Sequence, residues 1–209
     1  MQMNKSLKEY IILGACGHAA VIADILHQCG CQIKGFLDDN VKLIGTEVLG
    51  SKVLGKIDDC KNYKECLFII GIGSNQIRKK IAEAHPLEYG TAIHPSAVIG
   101  QQVSIGHGTV IMAGSVINSR TDIGNHCIIN TRASVDHDNK LNDFVHVSPG
   151  AVLGGKVSVG LETHIGIGSC VRNNISIYSH AVVGAGAVVV KNIEESGVYI
   201  GIPAKKRDL

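Results

Sequence analysis

Aromatic residues are scarce in this chain, at 4% of its 209 residues, and tryptophan is absent. A core with so few large rings has to be packed from valine, isoleucine, leucine and alanine, which suits a regular architecture with evenly spaced layers. An excess of one charge is also lacking, since the formal net charge is only +2. Because there is no basic stretch and no acidic tail, nothing indicates a nucleic-acid partner.

Long hydrophobic runs are missing as well. No apolar stretch reaches the roughly 18 residues that a membrane-spanning helix requires, and the apolar run near the N-terminus is too short for a signal peptide. The seven cysteines form an odd count without a CxxC pair, so neither a disulfide framework nor a zinc site is indicated. We therefore expect a cytoplasmic protein with reduced thiols and no membrane span.

The first 90 residues alternate strand and helix signals. Glycine turns follow two of the apolar runs, at 14–17 and 71–73. The pattern predicts strands at 10–13, 33–37 and 66–70, and helices at 18–28 and from a cap at Asn75 to about Ala84. Strand, glycine turn, helix and strand form a βαβ unit, so we expect a Rossmann-like α/β domain with a short parallel sheet.

From Ile93 onward the chain has a six-residue period. Every sixth residue from Ile93 to Val189 is Ile, Val or Leu, at all 17 positions, and seven of these are followed directly by glycine. This is a hexapeptide repeat, and such repeats stack into a parallel β-helix in which three hexads make one coil of 18 residues. The aliphatic residues are predicted to fill the prism, and the glycines to relieve its corners.

Five segments carry a family resemblance: GACGHA at 14–19, FLDD at 36–39, GIGSNQIRKKI at 71–81, the pair His137-Asp138, and GIPAK at 201–205. Together with the repeats, they resemble the bacterial nucleotide-sugar N-acetyltransferases of the left-handed β-helix superfamily, over roughly residues 9–207. The resemblance implies a nucleotide-sugar-binding α/β domain in residues 1–90. A left-handed β-helix acetyltransferase domain with a closing C-terminal segment is implied for residues 91–209.

The same resemblance implies a function. Members of the family transfer an acetyl group from acetyl-CoA to the 4-amino group of a UDP-linked 4-amino-4,6-dideoxy sugar, while relatives act on perosamine or O-acetylate sialic acid. We expect such an N-acetyltransferase of glycan biosynthesis, with a nucleotide-linked amino sugar, most simply a UDP sugar, as its second substrate. O-acetylation of sialic acid or another polysaccharide precursor remains an alternative, and so does a non-catalytic trimeric scaffold.

His137 and Asp138 are the candidate catalytic pair. Acetyl transfer to an amine requires a base, and an imidazole suits that task, since a neighbouring carboxylate can hold the ring. By resemblance His137 is the general base, followed directly by an acidic residue. Asp138 stands where relatives often carry the longer glutamate. A surface pair without a catalytic role is the alternative.

His146 follows His137 after nine residues, which is half a coil. The two histidines should therefore lie on opposite sides of the prism, and they can act together only if they meet between adjacent subunits. The homotrimers of the family fit this expectation. By resemblance His146 contacts the thioester region of acetyl-CoA. An exposed histidine without a role is the alternative.

Further substrate contacts come from the resemblance. Gly17 and His18 are expected at the phosphates or the sugar, where a helix N-terminus can bind a diphosphate, and Asp38 and Asp39 at the uracil and ribose. The remaining candidates are Gly73, Asn75 and Arg78 in the same pocket and Asn130 at the acceptor. Two aspartates after a strand are also ordinary turn chemistry, and GACGHA is not a complete dinucleotide motif.

The candidate contacts to acetyl-CoA follow the coils. Gly155 lies one coil after His137, so we expect room there for the pantetheine arm, and Ile167 and Ala185 share a column that suits a smooth groove. By resemblance the closing segment, with Pro203 and Lys205, covers CoA. His146, expected at the thioester, is the remaining candidate contact to acetyl-CoA.

No metal is expected. His146 and His164 are 18 residues apart and should stack at a spacing of about 5 Å on adjacent coils. A zinc site requires a third ligand, and Ile128 and Val182 flank the pair in the same column.

Overall fold

A computed structural model describes residues 9–207. The N-terminal part is an α/β domain around a five-stranded sheet in the order β3-β4-β2-β1-β5. Its elements are β1 (Tyr10–Leu13), α1 (Gly17–Gln28), β2 (Ile33–Leu37), β3 (Glu47–Val48), β4 (Ser51–Gly55), β5 (Leu67–Ile70) and α2 (Asn75–Ala84), with 3-10 helices at Val41–Leu43 and Ile57–Asn62. All pairings are parallel except the hairpin of β3 and β4, so the predicted parallel sheet is confirmed.

Two details of this domain differ from the expectation. The hairpin of β3 and β4 was not predicted, because its strands are short and partly exposed and therefore carry no clear apolar pattern. The cap of α2 is Ser74, whose Oγ accepts a hydrogen bond from the backbone N–H of Ile77 at 3.4 Å. Asn75, which the sequence predicted as the cap, is instead the first helical residue, and its side-chain amide takes part in other hydrogen bonds.

The second part is a parallel β-helix, as the six-residue period predicts. Three sheets run along it, in the orders β7-β10-β13-β16-β19-β22, β8-β11-β14-β17-β20 and β6-β9-β12-β15-β18-β21-β23-β24. The strands are β6 (Ala92–Ile93), β7 (Val98–Ile99), β8 (Ser104–Ile105), β9 (Val110–Ile111), β10 (Val116–Ile117), β11 (Asp122–Ile123), β12 (Ile128–Ile129), β13 (Ser134–Val135), β14 (Lys140–Leu141), β15 (His146–Val147), β16 (Val152–Leu153), β17 (Ser158–Val159), β18 (His164–Ile165), β19 (Cys170–Val171), β20 (Ser176–Ile177), β21 (Ala181–Val183), β22 (Val188–Val189), β23 (Gly197–Ile200) and β24 (Lys205–Lys206).

The repeated aliphatic residues form the core of the prism. From Ile111 to Val189 every one of them is buried, while the first three lie at the end of the prism and are partly exposed. The corner turns have positive φ at every sixth residue from Gln102 to Gly186. Five of these corner residues are glycines, namely Gly108, Gly114, Gly150, Gly168 and Gly186, so the predicted role of glycine at the corners is confirmed there. The glycines that follow the aliphatic residues are not at these positions, and for them the prediction is wrong. They allow close approach of coils instead, since a Cβ at Gly154 would lie 2.7 Å from the backbone nitrogen of Asn173.

Each sheet presents a different outer surface, set by the residue that precedes the repeated aliphatic residue in each strand. The valine face carries Val98, Val116, Ser134, Val152, Cys170 and Val188; the polar face carries Ser104, Asp122, Lys140, Ser158 and Ser176; the histidine face carries Val110, Ile128, His146, His164 and Val182. Because the outward residues of a column lie 18 residues apart, each face is a continuous stripe whose composition can be read from the sequence.

The α/β domain packs on the histidine face. Helix α1 and the central strands form one apolar cluster with residues of the first coils, namely Ala92, Val110, Met112 and Ile128. The domain therefore covers this face up to about His146, whereas Val182 beyond it is 39% exposed. Among residues 9–207, no helix is long and apolar enough to cross a membrane.

Candidate active site

His137 and Asp138 form a hydrogen-bonded pair at a corner beside the valine face. Nδ1 of His137 lies 2.6 Å from Oδ2 of Asp138, so the aspartate is long enough to reach the ring. Arg120 holds the carboxylate from the preceding coil through Nε to Oδ1 at 2.7 Å and Nη2 to Oδ2 at 3.0 Å. The Arg120 guanidinium, and after it the His137 ring, hold the pKa of the Asp138 carboxyl far below its usual range. Since Nδ1 is engaged, Nε2 is the ring nitrogen left for a ligand.

Gly155 accommodates the His137 ring. A Cβ on this glycine would lie 2.7 Å from Cε1 and from Nε2 of His137, so the space next to residue 155 is occupied by the imidazole itself. A groove of about 580 Å³ continues from the ring past Lys156, Arg172 and Asn173. The room expected for an extended ligand thus lies beside the ring, along cationic side chains.

His146 lies at the junction with the α/β domain, on the histidine face. Its Nε2 is 3.1 Å from the Asn130 side-chain nitrogen, and Oδ1 of Asn130 accepts a hydrogen bond from the backbone N–H of Thr131 at 2.8 Å. The amide is therefore oriented with its NH₂ group toward the ring, and Nε2 of His146 accepts. The neutral ring then carries its proton on Nδ1, which is buried and makes no well-aligned hydrogen bond with the described residues, although the backbone of Gly73 interacts with the ring.

His18 and Gly73 lie close to the His146 ring. Burial lowers the pKa of His146 to about 3, assisted by His164, Arg78 and His18, while the backbone of Gly73 opposes this shift. Burial, followed by the charge of Arg78, also lowers the pKa of His18 to about 4, and its Nε2 is buried without a partner. The junction therefore contains two neutral imidazoles, each with one buried ring nitrogen that makes no well-aligned hydrogen bond among the described residues.

These buried rings predict acid sensitivity. His126 is a third buried ring, 3% exposed and packed against Tyr89 and Phe144. In the unfolded chain a histidine takes up a proton near pH 6.5, whereas His18, His126 and His146 in the folded chain do so only near pH 4 or below. Between these values the unfolded chain binds more protons, so stability should fall as the pH drops from about 6.5 toward about 4, by at least about 3 kcal/mol in total. Urea titrations at a series of pH values measure this; equal free energies of unfolding at about pH 7 and about pH 5 would contradict it.

Asn75 and Arg78 join the two domains and have no free donors. Arg78 is 1% exposed. Its five N–H groups are directed at the carbonyl oxygens of Ile72, Gly73, His126 and Phe144 and at Oδ1 of Asn75. The Asn75 NH₂ group donates to the carbonyls of Glu162 and Thr163. Contrary to the expectation from the sequence, this leaves neither side chain a donor for a substrate, and we assign both to the junction.

Asp38 and Asp39 hold local backbone and also border a cavity. Asp38 accepts from the backbone N–H of Ala15 at 2.7 Å, and Asp39 accepts from that of Ile57 at 3.0 Å. Both line a cavity of about 450 Å³ at the carboxyl edge of the sheet, together with Lys80 and His85. Asp38 and Asp39 can therefore hold the local backbone and also bind a ligand, because each carboxylate has lone pairs to spare.

The first turn of α1 is open. Cys16, at its N-cap, makes no capping hydrogen bond with its side chain, and a Cβ on Gly17 would meet nothing within 4 Å. Unpaired backbone N–H groups at a helix N-terminus attract anions. The predicted phosphate contact at Gly17 is sterically possible here.

The remaining candidates lie on the upper coils. Ile167 is 61% exposed, and Ala185, one coil later, is also exposed. Pro203 lies in the turn between β23 and β24, and Lys205 pairs with Ile200 in that hairpin. All are accessible to a ligand, and their contact with CoA stays a prediction.

Some residues of the site were missed by sequence reasoning. Asp136 accepts from the backbone N–H of His137 at 2.8 Å and from the Asn118 amide at 2.8 Å, and Arg120 holds Asp138 as described. Asn118 and Arg120 each lie 18 residues before the aspartate that they hold, so coil spacing alone could have identified them.

His146 and His164 stack with ring centroids 4.7 Å apart, as predicted. Among residues 9–207, no three metal-binding side chains converge on one site.

Several known proteins resemble this chain. Residues 9–85 match the family described as the PglD N-terminal domain. The acetyltransferase domain of PglB from Neisseria gonorrhoeae is 35% identical, with a TM-score of 0.90, and the match covers 96% of this chain and 100% of that one. PerB from Caulobacter crescentus, solved with CoA and GDP-perosamine, is 35% identical with a TM-score of 0.88, covering 97% and 99%.

A curated relative supports the same assignment over a shorter segment. UDP-N-acetylbacillosamine N-acetyltransferase of Bacillus subtilis is 38% identical over 106 residues, which are 48% of this chain and 49% of that protein. The matched segments span about half or less of the curated relatives. The solved structures, in contrast, align over nearly their whole length and contain both parts of the fold. The chain therefore belongs to the PglD-like nucleotide-sugar N-acetyltransferases, in which a PglD N-terminal domain precedes a hexapeptide β-helix.

Proposed function

We propose that the protein transfers the acetyl group of acetyl-CoA to the 4-amino group of a UDP-linked 4-amino-4,6-dideoxy sugar. Family membership supports the reaction type, and PglB and PerB were solved with acetyl-CoA and with CoA and GDP-perosamine, respectively. The observation that carries the proposal is the His137-Asp138-Arg120 array, which orients an imidazole with Nε2 toward a groove.

The chemistry assigns His137 as general base. The uncharged sugar amine attacks the thioester carbonyl carbon, and the carbonyl electron pair moves onto oxygen as the C–N bond forms. Nε2 of His137 removes a proton from the amine nitrogen, and Asp138 stabilises the resulting imidazolium through Nδ1. When the oxygen lone pair re-forms the C=O bond, the C–S bond breaks and CoA leaves as a thiolate, which takes up the proton.

His146 supplies a donor for the negative charge that develops on the carbonyl oxygen. Asn130 fixes the ring so that Nδ1 carries the proton, and Nδ1 makes no well-aligned hydrogen bond with the described residues. A preorganised donor of this kind is worth more in the transition state than in the ground state. His18, with its own unused Nε2, is assigned to the sugar or its phosphates.

The two halves of this site require more than one subunit. His137 follows a strand of the valine face, whereas His146 is part of the histidine face. The valine face is apolar and accessible, with Val98 60% and Val152 42% exposed, as expected of a surface that packs on another protein. We propose a homotrimer in which the valine face of one subunit lies beside the junction between the α/β domain and the histidine face of the next subunit. A monomeric mass in light scattering would contradict this.

The substrates are assigned to separate surfaces. The cavity beside Asp38 and Asp39 holds the base and ribose, and the open turn at Gly17 holds the diphosphate. CoA lies along Ile167 and Ala185 under the turn at Pro203, with Lys205 near its phosphates. Calorimetry with UDP, GDP and TDP tests the choice of base, and preference for GDP would overturn the UDP assignment.

The reaction is tested with acetyl-CoA, a thiol reporter and a panel of nucleotide-linked 4-amino sugars. We expect CoA release that depends on a UDP-linked amino sugar and product that gains one acetyl group in mass spectrometry. Release with sialic acid in place of any nucleotide sugar would favour the O-acetyltransferase. Lack of release with every acceptor would favour the scaffold.

Substitution of Gly155 should displace the catalytic ring. In Gly155→Val the added carbons would collide with Cε1 and Nε2 of His137, and misplacement of a reacting group by about 1 Å costs about 10²-fold in rate. Steady-state kinetics should show a loss of that order in kcat. Gly160→Ala, which crowds the backbone of Ser179 on another face, is the control for coil distortion and should retain activity. Equal kcat values for Gly155→Val and wild type would contradict the placement of His137.

A further inference from the structure

His164 is a second polar residue in an otherwise apolar column. The histidine face reads Val110, Ile128, His146, His164 and Val182 from coil to coil. A β-helix requires no imidazole at such a position, and burying one costs free energy unless it is hydrogen-bonded. The proposed function uses His146 and leaves His164 without a role.

The surroundings of His164 repeat those of His146. Nε2 of His164 lies 2.8 Å from Oγ of Ser148, just as Nε2 of His146 lies 3.1 Å from the amide of Asn130, with 16 residues between the partners in both cases. Ser148 is 2% exposed, so this hydrogen bond is protected from water. The two rings are paired in register, with centroids 4.7 Å apart and an angle of 27° between their planes.

We propose that His164, fixed by Ser148, is a positioning residue for the acetyl transfer: its ring is the surface against which His146 stacks, which keeps Nδ1 of His146 directed into the site. This proposal rests on the proposed function. Asn130 contacts the Nε2 edge of the His146 ring, and the backbone of Gly73 is a second polar group that acts on it. Neither covers the flat face of the ring, and rotation of the ring plane would turn the Nδ1 proton away. Contact with a second, immobilised ring opposes this rotation.

Stacking also affects protonation. Two imidazolium ions at this distance would repel each other, and His164 contributes, after burial, to the lowered pKa of His146. Arg78 on α2 and His18 on α1 also lower the pKa of His146, and the backbone of Gly73 raises it. Of the groups around His164, Glu162 is paired with Lys79 at 2.6 Å and also faces His180. His146 is thereby kept neutral and able to donate through Nδ1.

The test compares His164→Val, His164→Gln and Ser148→Ala with wild type. Valine is the natural residue one coil further along, at Val182, so the coil can accommodate it. We expect kcat to fall about ten-fold in His164→Val, with KM for both substrates within about two-fold, because orientation and not binding is lost. His164→Gln keeps a planar group beside Ser148 and should recover part of the activity, and Ser148→Ala should lose less than His164→Val.

A second measurement does not depend on turnover. Imidazole NMR with ¹⁵N-labelled histidine should show His146 as the Nδ1–H tautomer in wild type, and its pKa should rise in His164→Val. His180→Gln is the matched control, since His180 borders the same cavity as His164 without a ring contact to His146. It should change neither kcat nor the His146 signals.

The possible outcomes separate the two proposals. Unchanged kcat and unchanged His146 signals in His164→Val would overturn the positioning role. If wild type acetylates no amino sugar, the proposed function fails, while the NMR measurement still decides whether His164 orients the ring. If His164→Val does not fold, His164→Gln and Ser148→Ala decide in its place, and wild-type kinetics in both would overturn the proposal.

Discussion

Replacement of His137 by asparagine should reduce kcat by about 10³-fold, while acetyl-CoA and the sugar nucleotide bind nearly as well as to wild type. Asparagine retains a polar group that can hydrogen-bond Asp138 but has no basic nitrogen at the position of Nε2. The amine proton then has no acceptor as the C–N bond forms. Single-turnover kinetics with a thiol reporter measure the rate, and calorimetry measures binding of each substrate.

The support of His137 provides the graded control. Arg120→Gln removes two charge-assisted hydrogen bonds from Asp138 and should raise the pKa of that carboxyl toward its usual range, because Arg120 is the main cause of its depression. The carboxylate remains ionised near neutral pH, so we expect a loss in kcat of only about ten-fold, from poorer orientation of the ring. If His137→Asn were to lose no more activity than Arg120→Gln, His137 would not be the base.

Replacement of Arg78 by methionine should destabilise the protein by about 3 kcal/mol or more. The guanidinium satisfies five acceptors at a buried junction, and methionine fills similar volume without donating to any of them. Each buried acceptor that loses its partner costs about 1–3 kcal/mol, reduced where water can enter. Thermal and urea unfolding measure the loss, and hydrogen exchange should show early opening of α2.

Two further variants make the Arg78 result specific. Arg78→Lys keeps the charge but has only three donors on one nitrogen, so it should still lose about 2 kcal/mol. Lys80→Met alters an exposed residue of the same helix and should change the free energy of unfolding by no more than about 0.5 kcal/mol. A stable Arg78→Met protein with normal protection of α2 would show that the two domains do not depend on this contact.

How far the sequence predicts this molecule depends on the range of the interactions involved. The β-helix is predictable because each coil repeats the same contacts, so a local period of six residues determines the position of every inward side chain. The same periodicity places Gly155 beside His137 and His164 beside His146. Arg120 lies one coil before Asp138, so the same periodicity could have identified it. Within the repeats, sequence spacing is equivalent to spatial distance.

The junction could not be predicted in this way. Arg78 follows a glycine turn and looks like a residue for phosphate binding, as does Asn75 at the start of the same helix. Their contacts, at the carbonyls of Phe144 and Thr163, lie on another domain that no local pattern relates to α2. The neutral state of His146 has the same origin, because it depends on burial by a domain far away in sequence. Such roles are set by domain packing rather than by spacing.

The positive φ values at every sixth residue have a consequence for how such a chain can vary in length. Each corner fixes the direction of the next strand, so an insertion of one or two residues within a coil would rotate all later faces relative to the α/β domain. The histidine face would then no longer continue past the insertion, and an insertion between His146 and His164 would divide their column. Evolution of this prism is therefore restricted to gain or loss of entire coils, or to loops that leave and return at a single corner.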